Sequence, residues 1–526
     1  MSIGTALSRL TGFLRVAMLA FALGVQESRL ADAYNVANTT PNMIYDLVLG
    51  GIVASVFVPV FVEWLETRGG EATREAARAV LSISVIVLGA IALAGILGAR
   101  LIVGLYTARF EGPQSEAARA LATFFLRWFM PQIVLYGIGA GVLTALLNAH
   151  RRFAAPMFAP ILNNLVVVAT FGLFVLLPGP AVPTPDGITT LQRYVLAIGT
   201  TAGVLAMTVA LWPSLRRIGF RFRFTPHLRH PAVRRIARLA GWSLVYVAVN
   251  QVGLLVTVVL AGTERGAYTA YALAFIFFQL PYAIFAVSVM TALLPRMSES
   301  WVERDRGEFG ADLAQGIRAT AFVVLPAAAG YVAVSQPIVR LLLQHGVTTP
   351  RSTELVARVL VAFSVGLFPF AAFQLLLRAF YAMQDTRTPA LVNVGAEAVH
   401  LAANLTLFLG LGLGVQGLAL GHAAGYVFAA LVAAVLLARR VGGLRARSLL
   451  AGLWKIALAS ALTGLAAWLA ARGIGTWLGT GSLVAQLAQV AGAVLAGLII
   501  FATVSIALRV EEFGLVKRFV LARLGR

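Results

Sequence analysis

Two arginines, Arg9 and Arg15, interrupt the first apolar run of this chain, which extends from about Ile3 to Val25. A run of that length crosses a bilayer as a helix. A charge near the middle of such a helix costs roughly 2.5–3.5 kcal/mol on insertion scales, so it is expected to face a protein interior or a water-filled cavity. On a helix the two residues lie about 9 Å apart along the axis and about a third of a turn apart around it. Guanidinium forks so placed can converge on one anion, and a phosphate-type oxygen pair suits their bidentate geometry. The alternative is that both snorkel to headgroups, which suits Arg9, near the chain start, better than Arg15.

A second polar set lies in the apolar run near residues 388–410. Asn393 and Glu397 are one helical turn apart, and His400 and Asn404 continue that face. A carboxylate in mid-membrane is a functional candidate by default. It can bind a cation or a proton, or it can pair structurally with His400. The amides of Asn42, Asn163 and Asn164 offer hydrogen bonds either to a polar substrate or to a neighbouring helix. The chain has no cysteine, which excludes disulfides, thiolate zinc sites and cysteine nucleophiles. Its six histidines show no metal-ligand spacing such as HExxH, and no GxxxxGK[ST] nucleotide loop is present.

The elements that position these residues follow from composition. The 526 residues are 60% hydrophobic and 12% charged, with a mean hydropathy of +0.86. That is a polytopic membrane protein, since a soluble chain of this length needs far more polar surface. About fourteen apolar spans are expected, near 3–25, 33–64, 76–106, 117–147, 154–177, 190–215, 236–262, 267–295, 312–344, 354–383, 388–410, 413–438, 449–472 and 481–508. The net charge of +21 sits in short loops after the even-numbered spans, with the densest cluster from Arg216 and Arg217 to Arg234, Arg235 and Arg238. This positive-inside pattern places both termini in the cytoplasm and points to anionic lipid, not nucleic acid, as the counter-charge.

The fold class expected is all-α. Two pseudo-symmetric six-helix lobes, 1–225 and 226–440, precede two further spans in 441–508 and a basic amphipathic tail at 509–526. The lobes are read from a weak repeat in which Leu147–Pro156 and Phe380–Pro389 share Ala149/Ala382 and Pro156/Pro389 in register. Duplicated lobes are a recurrent transporter design. Pro41 and Pro59 with Gly50 and Gly51, and Pro281 with Pro295, interrupt spans 2 and 8. Such breaks serve as gates or as static kinks.

Taken in order, Ser8-Arg9-Leu10-Thr11-Gly12-Phe13-Leu14-Arg15, Ala31-Asp32-Ala33-Tyr34, Pro41-Asn42 and Phe57-Val58-Pro59-Val60-Phe61 resemble the opening of the lipid II flippases called MurJ or MviN. Asn148 to Pro160 with Ile161 to Asn164, and Phe380-Tyr381-Ala382 with Asp385 and Thr388-Pro389, continue the likeness along the whole chain. The family belongs to the multidrug/oligosaccharidyl-lipid/polysaccharide exporter superfamily. The resemblance implies export of undecaprenyl-pyrophosphate-linked disaccharide-pentapeptide across the bacterial plasma membrane for peptidoglycan synthesis. It also implies a cationic cavity between lobes and a lipid groove formed by spans 13 and 14. By the same resemblance Arg9 and Arg15 match the two span-1 arginines associated with pyrophosphate, and Asp32 matches the acid that opens span 2. Sodium-binding members carry an amide and an acid at the Asn393/Glu397 spacing with a span-7 partner, here Thr257.

The chain also departs from the family. Tyr45 and Asp46 stand where many members have two arginines, Gly50 where a glutamate often follows, and Ile276 where span 8 has another arginine. Arg127 and Arg378 are the candidate replacements. Related chains from high-GC Gram-positive bacteria continue into a soluble pseudokinase-like domain, which is not expected here. The reading is therefore a transporter and not an enzyme, with lipid II and membrane lipids as partners and cell-wall synthesis proteins as further candidates. No cofactor is expected beyond a coupling sodium ion or proton. Export of another polyprenyl-linked oligosaccharide, cation-coupled drug export and, last, a membrane glycosyltransferase are the alternatives.

Overall fold

The computed structural model describes residues 2–45, 57–227, 229–239, 241–444 and 446–514. Asp46, Gly50, Gly51, Arg445 and the tail residues Lys517, Arg518, Arg523 and Arg526 lie outside them. Every regular element among the described residues is a helix. The chain forms two compact units, one of residues 1–269 with 345–352 and one of residues 270–344 with 353–526.

The first unit contains α1 (Ser2–Leu23), α2 (Leu30–Tyr45), α3 (Val58–Leu97), α4 (Ala99–Tyr106), α5 (Ser115–Phe129), α6 (Gln132–Tyr136), α7 (Thr144–Ala149), α8 (Ala154–Leu176), α9 (Thr190–Val209), α10 (Trp212–Arg217), α11 (Pro231–Leu239) and α12 (Gly241–Ala261). A π-helical segment, Gly137–Leu143, joins α6 to α7. Tyr34 on α2 organises the core. Its ring meets Phe125 and Phe129 of α5 and Phe171 of α8 edge-on, and its hydroxyl lies 2.8 Å from that of Thr200 on α9. Edge-to-face pairs of this kind contribute about 0.5–1.5 kcal/mol each beyond their buried area.

The second unit contains α13 (Ala267–Pro281, from Ala270 onward), α14 (Val287–Val302), α15 (Arg306–Leu343), α16 (Pro350–Val365, from Thr353 onward), α17 (Leu367–Ala382), α18 (Arg387–Asn404), α19 (Gly414–Val441), α20 (Ala446–Leu478) and α21 (Leu483–Ala507). Two more π-helical segments follow Pro281, at Tyr282–Ala286, and α18, at Leu405–Gly410. Gly417, Gly421 and Gly425 form a stripe along α19 that lies against α18 and the π-helical segment after it. A Cβ on Gly425 would meet the Ala396 carbonyl at 2.9 Å, and one on Gly421 would collide with Asn404. Small residues at this spacing let membrane helices approach closely. Here the close approach fixes the backbone carrying His400 and Asn404.

Helix occurs in each of the fourteen apolar stretches among the described residues, and α3 runs from the second into the third with a kink at Gly69. Among the described residues, length and apolarity qualify ten helices as membrane spans, or eleven if α16 and α17, bent by 48°, count as one. The helices that pass as spans on their own are thus fewer than the fourteen expected. The two stretches that share the sequence repeat end in the same common turn, which also follows α14 at Ser300–Asp305 and α21 at Ser505–Val510. At Leu147–Arg152 and Phe380–Asp385 the helix ends in a left-handed residue, Arg151 (φ 57) or Gln384 (φ 58). The closing bonds are equivalent too, Arg152 N–H to Leu147 C=O and Asp385 N–H to Phe380 C=O. This helix-ending turn leaves the helix in the same direction at both places.

Candidate functional site

In the first unit α1 packs on α8. Asn164 fixes the contact, its amide donating to the Ser8 carbonyl at 3.2 Å and to the Thr11 hydroxyl at 3.1 Å. Ser8, Thr11 and Arg15 recur at positions i, i+3 and i+7, so Arg15 lies on the α8-facing side of α1, one turn beyond this contact. It is half-buried and close enough to Tyr34 to act on it electrostatically. Arg9 is turned about a third of a turn away and is exposed. Among the described residues no carboxylate lies within ion-pair distance of either arginine. Two cations on one helix with no counter-charge among the described residues suit an anion chemically.

Asn163 is buried, pressed against Gly203 of α9, and its Oδ1 has no partner among the described residues. Asn42 is half-buried and donates to the Asn38 carbonyl of its own helix at 3.1 Å. Arg127 and Arg378 are both exposed, and Ile276 is half-buried.

Asp32 occupies a different setting. It is buried, and its carboxylate accepts from Gly266 N–H at 2.7 Å and from the Thr269 hydroxyl and N–H at 2.7 and 3.2 Å. The neighbouring residues do the same for other loops. Arg29 donates to the Gly262 and Glu111 carbonyls at 3.2 and 3.0 Å, lies over the Phe110 ring, and approaches Asp32 at 4.0 Å. Ser28 donates to the Pro183 carbonyl at 2.7 Å. Glu27 accepts from Thr349 N–H and the Ser352 hydroxyl, both at 2.7 Å. Residues 27–32 thus gather four separate loops of the unit into one knot. Sequence reasoning singled out Asp32 but missed Glu27, Ser28 and Arg29. The available signal was an i, i+3 Arg–Asp pair at a helix start, which is common on any surface.

In the second unit His400 Nδ1 donates to Glu397 Oε2 at 2.9 Å, and Asn404 Nδ2 lies 3.0 Å from His400 Nε2. That pattern suits the tautomer with its hydrogen on Nδ1. The His400 ring meets His422 of α19 edge-on at 5.2 Å. His422 is enclosed by Phe275, Phe363 and Tyr426, and its Nε2 has no partner among the described residues. Asn393 is buried, and its amide nitrogen has no partner among the described residues. Thr257 belongs to the first unit, where its hydroxyl donates to the Gly253 carbonyl at 2.9 Å. Within the second unit Glu397 and Asn393 supply one carboxylate and one amide, a short donor set for sodium. No cluster of three His, Cys, Asp or Glu suited to a metal occurs among the described residues.

Pro41 is buried inside α2, and Pro281 closes α13 where the π-helical turn begins. The proline removes one backbone donor, and the wider turn that follows takes up the mismatch.

Comparison with known proteins places this geometry. Residues 19–489 match the family model described as lipid II flippase MurJ. A protein of Rhizobium meliloti (strain 1021) named "Probable lipid II flippase MurJ" is 30% identical over 463 residues, covering 88% of this chain and 84% of that one. The lipid II flippase MurJ of Burkholderia cenocepacia is 29% identical over 433 residues, 79% and 81% of the two chains. The solved structure "Lipid II flippase MurJ, inward closed conformation" shares the fold with a TM-score of 0.76 at 22% identity, over 96% of this chain and 99% of that one. An inward-facing multidrug resistance MATE transporter shares it at a TM-score of 0.68 and 14% identity, over 85% and 99%. This multi-pass, all-helical membrane protein belongs to the lipid II flippase MurJ family.

Proposed function

We propose that this chain carries lipid II from the inner to the outer leaflet of the bacterial plasma membrane and makes or breaks no covalent bond. The observation that carries the reading is Arg15, half-buried on α1 beside Arg9 with no carboxylate in ion-pair distance among the described residues. A pyrophosphate cannot shed its water in a bilayer without paired cations. Two arginines on one helix supply them, while the prenyl tail stays in lipid. The MATE-like fold favours a second reading, cation-coupled drug export, but unpaired arginines repel a cationic cargo.

The moving parts are the two lobes read from the sequence, with 441–508 taking the lipid tail and both termini in the cytoplasm. Cell-wall synthesis proteins are the partners such a carrier would serve. A cell interior negative by 100 mV favours outward movement of a pyrophosphate with two charges by about 4–5 kcal/mol. A sodium ion or proton taken up at Glu397 would assist the return of the empty carrier. The test is complementation of a strain depleted of its own flippase. Rescue with labelled lipid II reaching the outer leaflet supports the reading, and accumulation on the inner leaflet despite full expression rejects it.

A further inference from the structure

Where the chain leaves α9, four large aromatics and four arginines fall within thirteen residues, 212–224. Trp212, Phe222 and Phe224 are 41%, 44% and 55% exposed, and Arg216, Arg217, Arg221 and Arg223 are exposed beside them. The segment is held firmly. Gly219 (φ 71) turns the chain after α10, Phe220 N–H returns to the Leu215 carbonyl at 3.0 Å, and Leu215 and Phe220 are buried. From α3, Arg74 donates to the Ile218 carbonyl at 3.2 Å, Arg78 to the Arg221 carbonyl at 3.0 Å, and Ser82 accepts from Thr225 N–H at 2.9 Å.

The result is a cavity of about 540 Å³ lined by Trp212, Arg216, Gly219, Phe220, Arg221 and Phe222. Arg216 lies over the Trp212 ring at 5.6 Å. The nearby acid Glu71 is already bonded to Arg74 and Arg78. Among the described residues no carboxylate pairs with Arg216, Arg217, Arg221 or Arg223. Exposed aromatic rings on a fixed backbone are unfavourable in water and are stabilised in a bilayer, Trp at the headgroup level and Phe among the upper acyl chains. Guanidinium groups at that level pair with phosphate.

We infer that this cavity binds the headgroup of an anionic phospholipid, with Arg216 and Arg221 on the phosphate and Trp212 and Phe222 against the glycerol and upper acyl chain. Phe224 and Arg223 extend the same surface along the leaflet. The site is independent of the transported substrate.

The test uses the full chain in nanodiscs of neutral lipid, without lipid II, doped with brominated phosphatidylglycerol or brominated phosphatidylcholine. The Trp212 signal is the difference between wild type and W212F. Phosphatidylglycerol should quench it at a mole fraction at least five-fold lower than phosphatidylcholine. R216Q and R221Q should each cost about five-fold of that preference, while R216K/R221K keeps part of it. Unchanged thermal midpoints show that the variants are folded. Equal quenching by the two lipids overturns the proposal, as does a preference that survives R216Q/R221Q. Arginine-dependent binding of an acidic peptide with no lipid preference would reassign the surface to a protein partner.

Discussion

Arg15 and Arg29 sit fourteen residues apart on the α1–α2 hairpin of one unit, and the fold treats them in opposite ways. Arg29 is 3% exposed and surrounded by acceptors: two backbone carbonyls, the Asp32 carboxylate and the Phe110 ring. Arg15 has no carboxylate within reach among the described residues. A buried cation that serves the fold brings its acceptors with it, because desolvation is otherwise too costly. On the proposed function, a cation kept without them is held for an anionic guest. The same residue type then serves structure at one end of the hairpin and is proposed to serve binding at the other.

The sharpest way to break this contrast is to delete both side chains separately. Arg15→Ala should reduce lipid II translocation in vesicles at least about 100-fold, the loss of a bidentate charge-assisted contact, and leave stability within about 0.5 kcal/mol. Arg15→Lys should rescue it poorly. Arg29→Ala should do the reverse, lowering stability by about 3 kcal/mol while folded molecules still transport. Equal destabilisation by the two substitutions would erase the distinction.

Glu397→Gln probes a third setting, where polar groups satisfy one another. It should change the sodium or pH dependence of flipping several-fold while lipid II binding stays intact, and unchanged ion responses would make the Glu397–His400 contact structural. A smaller effect is expected from Asn164→Ala, which removes the amide linking α8 to α1. Thermal unfolding should show a loss of about 0.6–1.7 kcal/mol, with a mild transport defect from loosening of the helix that carries Arg15.

The smallest effect concerns acid. Burial pushes the Glu27 carboxyl up, but hydrogen bonds from Thr349, Val25 and Ser352 together outweigh it and hold it below the ordinary glutamate range. Its folded pKa is therefore the lower one. The stability it adds is complete above the unfolded value and disappears as pH falls through the folded value. Glu27→Gln should flatten the acid limb of the stability curve by less than about 1 kcal/mol, read by melting temperature against pH.

Much of this was legible in the sequence, for a physical reason. A membrane helix is written as a run of apolar residues, so α8, α19 and α21 could be placed almost to the residue. Arg9, Arg15, Asn393 and Glu397 stood out because polar groups inside such runs are costly. The knot at residues 27–32 was hidden, since its partners come from loops up to 325 residues away and loop backbone carries no periodic signal. Asn164 was equally open to substrate or to a helix neighbour, and only coordinates place its amide on Ser8 and Thr11. The glycine stripe of α19 was ordinary composition in a chain with 50 glycines until α18 was seen against it.

The π-helical turns carry a consequence of their own. Each holds roughly one residue more than an α-turn of the same height, so the helix beyond it is rotated by about 100° from an uninterrupted course. Such a turn behaves as a dislocation does in a crystal. On either side the lattice of side chains keeps its own best fit, and the misfit is confined to a few residues. At Tyr282–Ala286 the turn separates α13, whose Phe275 and Phe278 rings meet Phe363 and His422, from α14, which packs on α15 and α17. Deleting one residue inside that turn would heal the dislocation and rotate α14 by about 100° out of its present packing on α15 and α17.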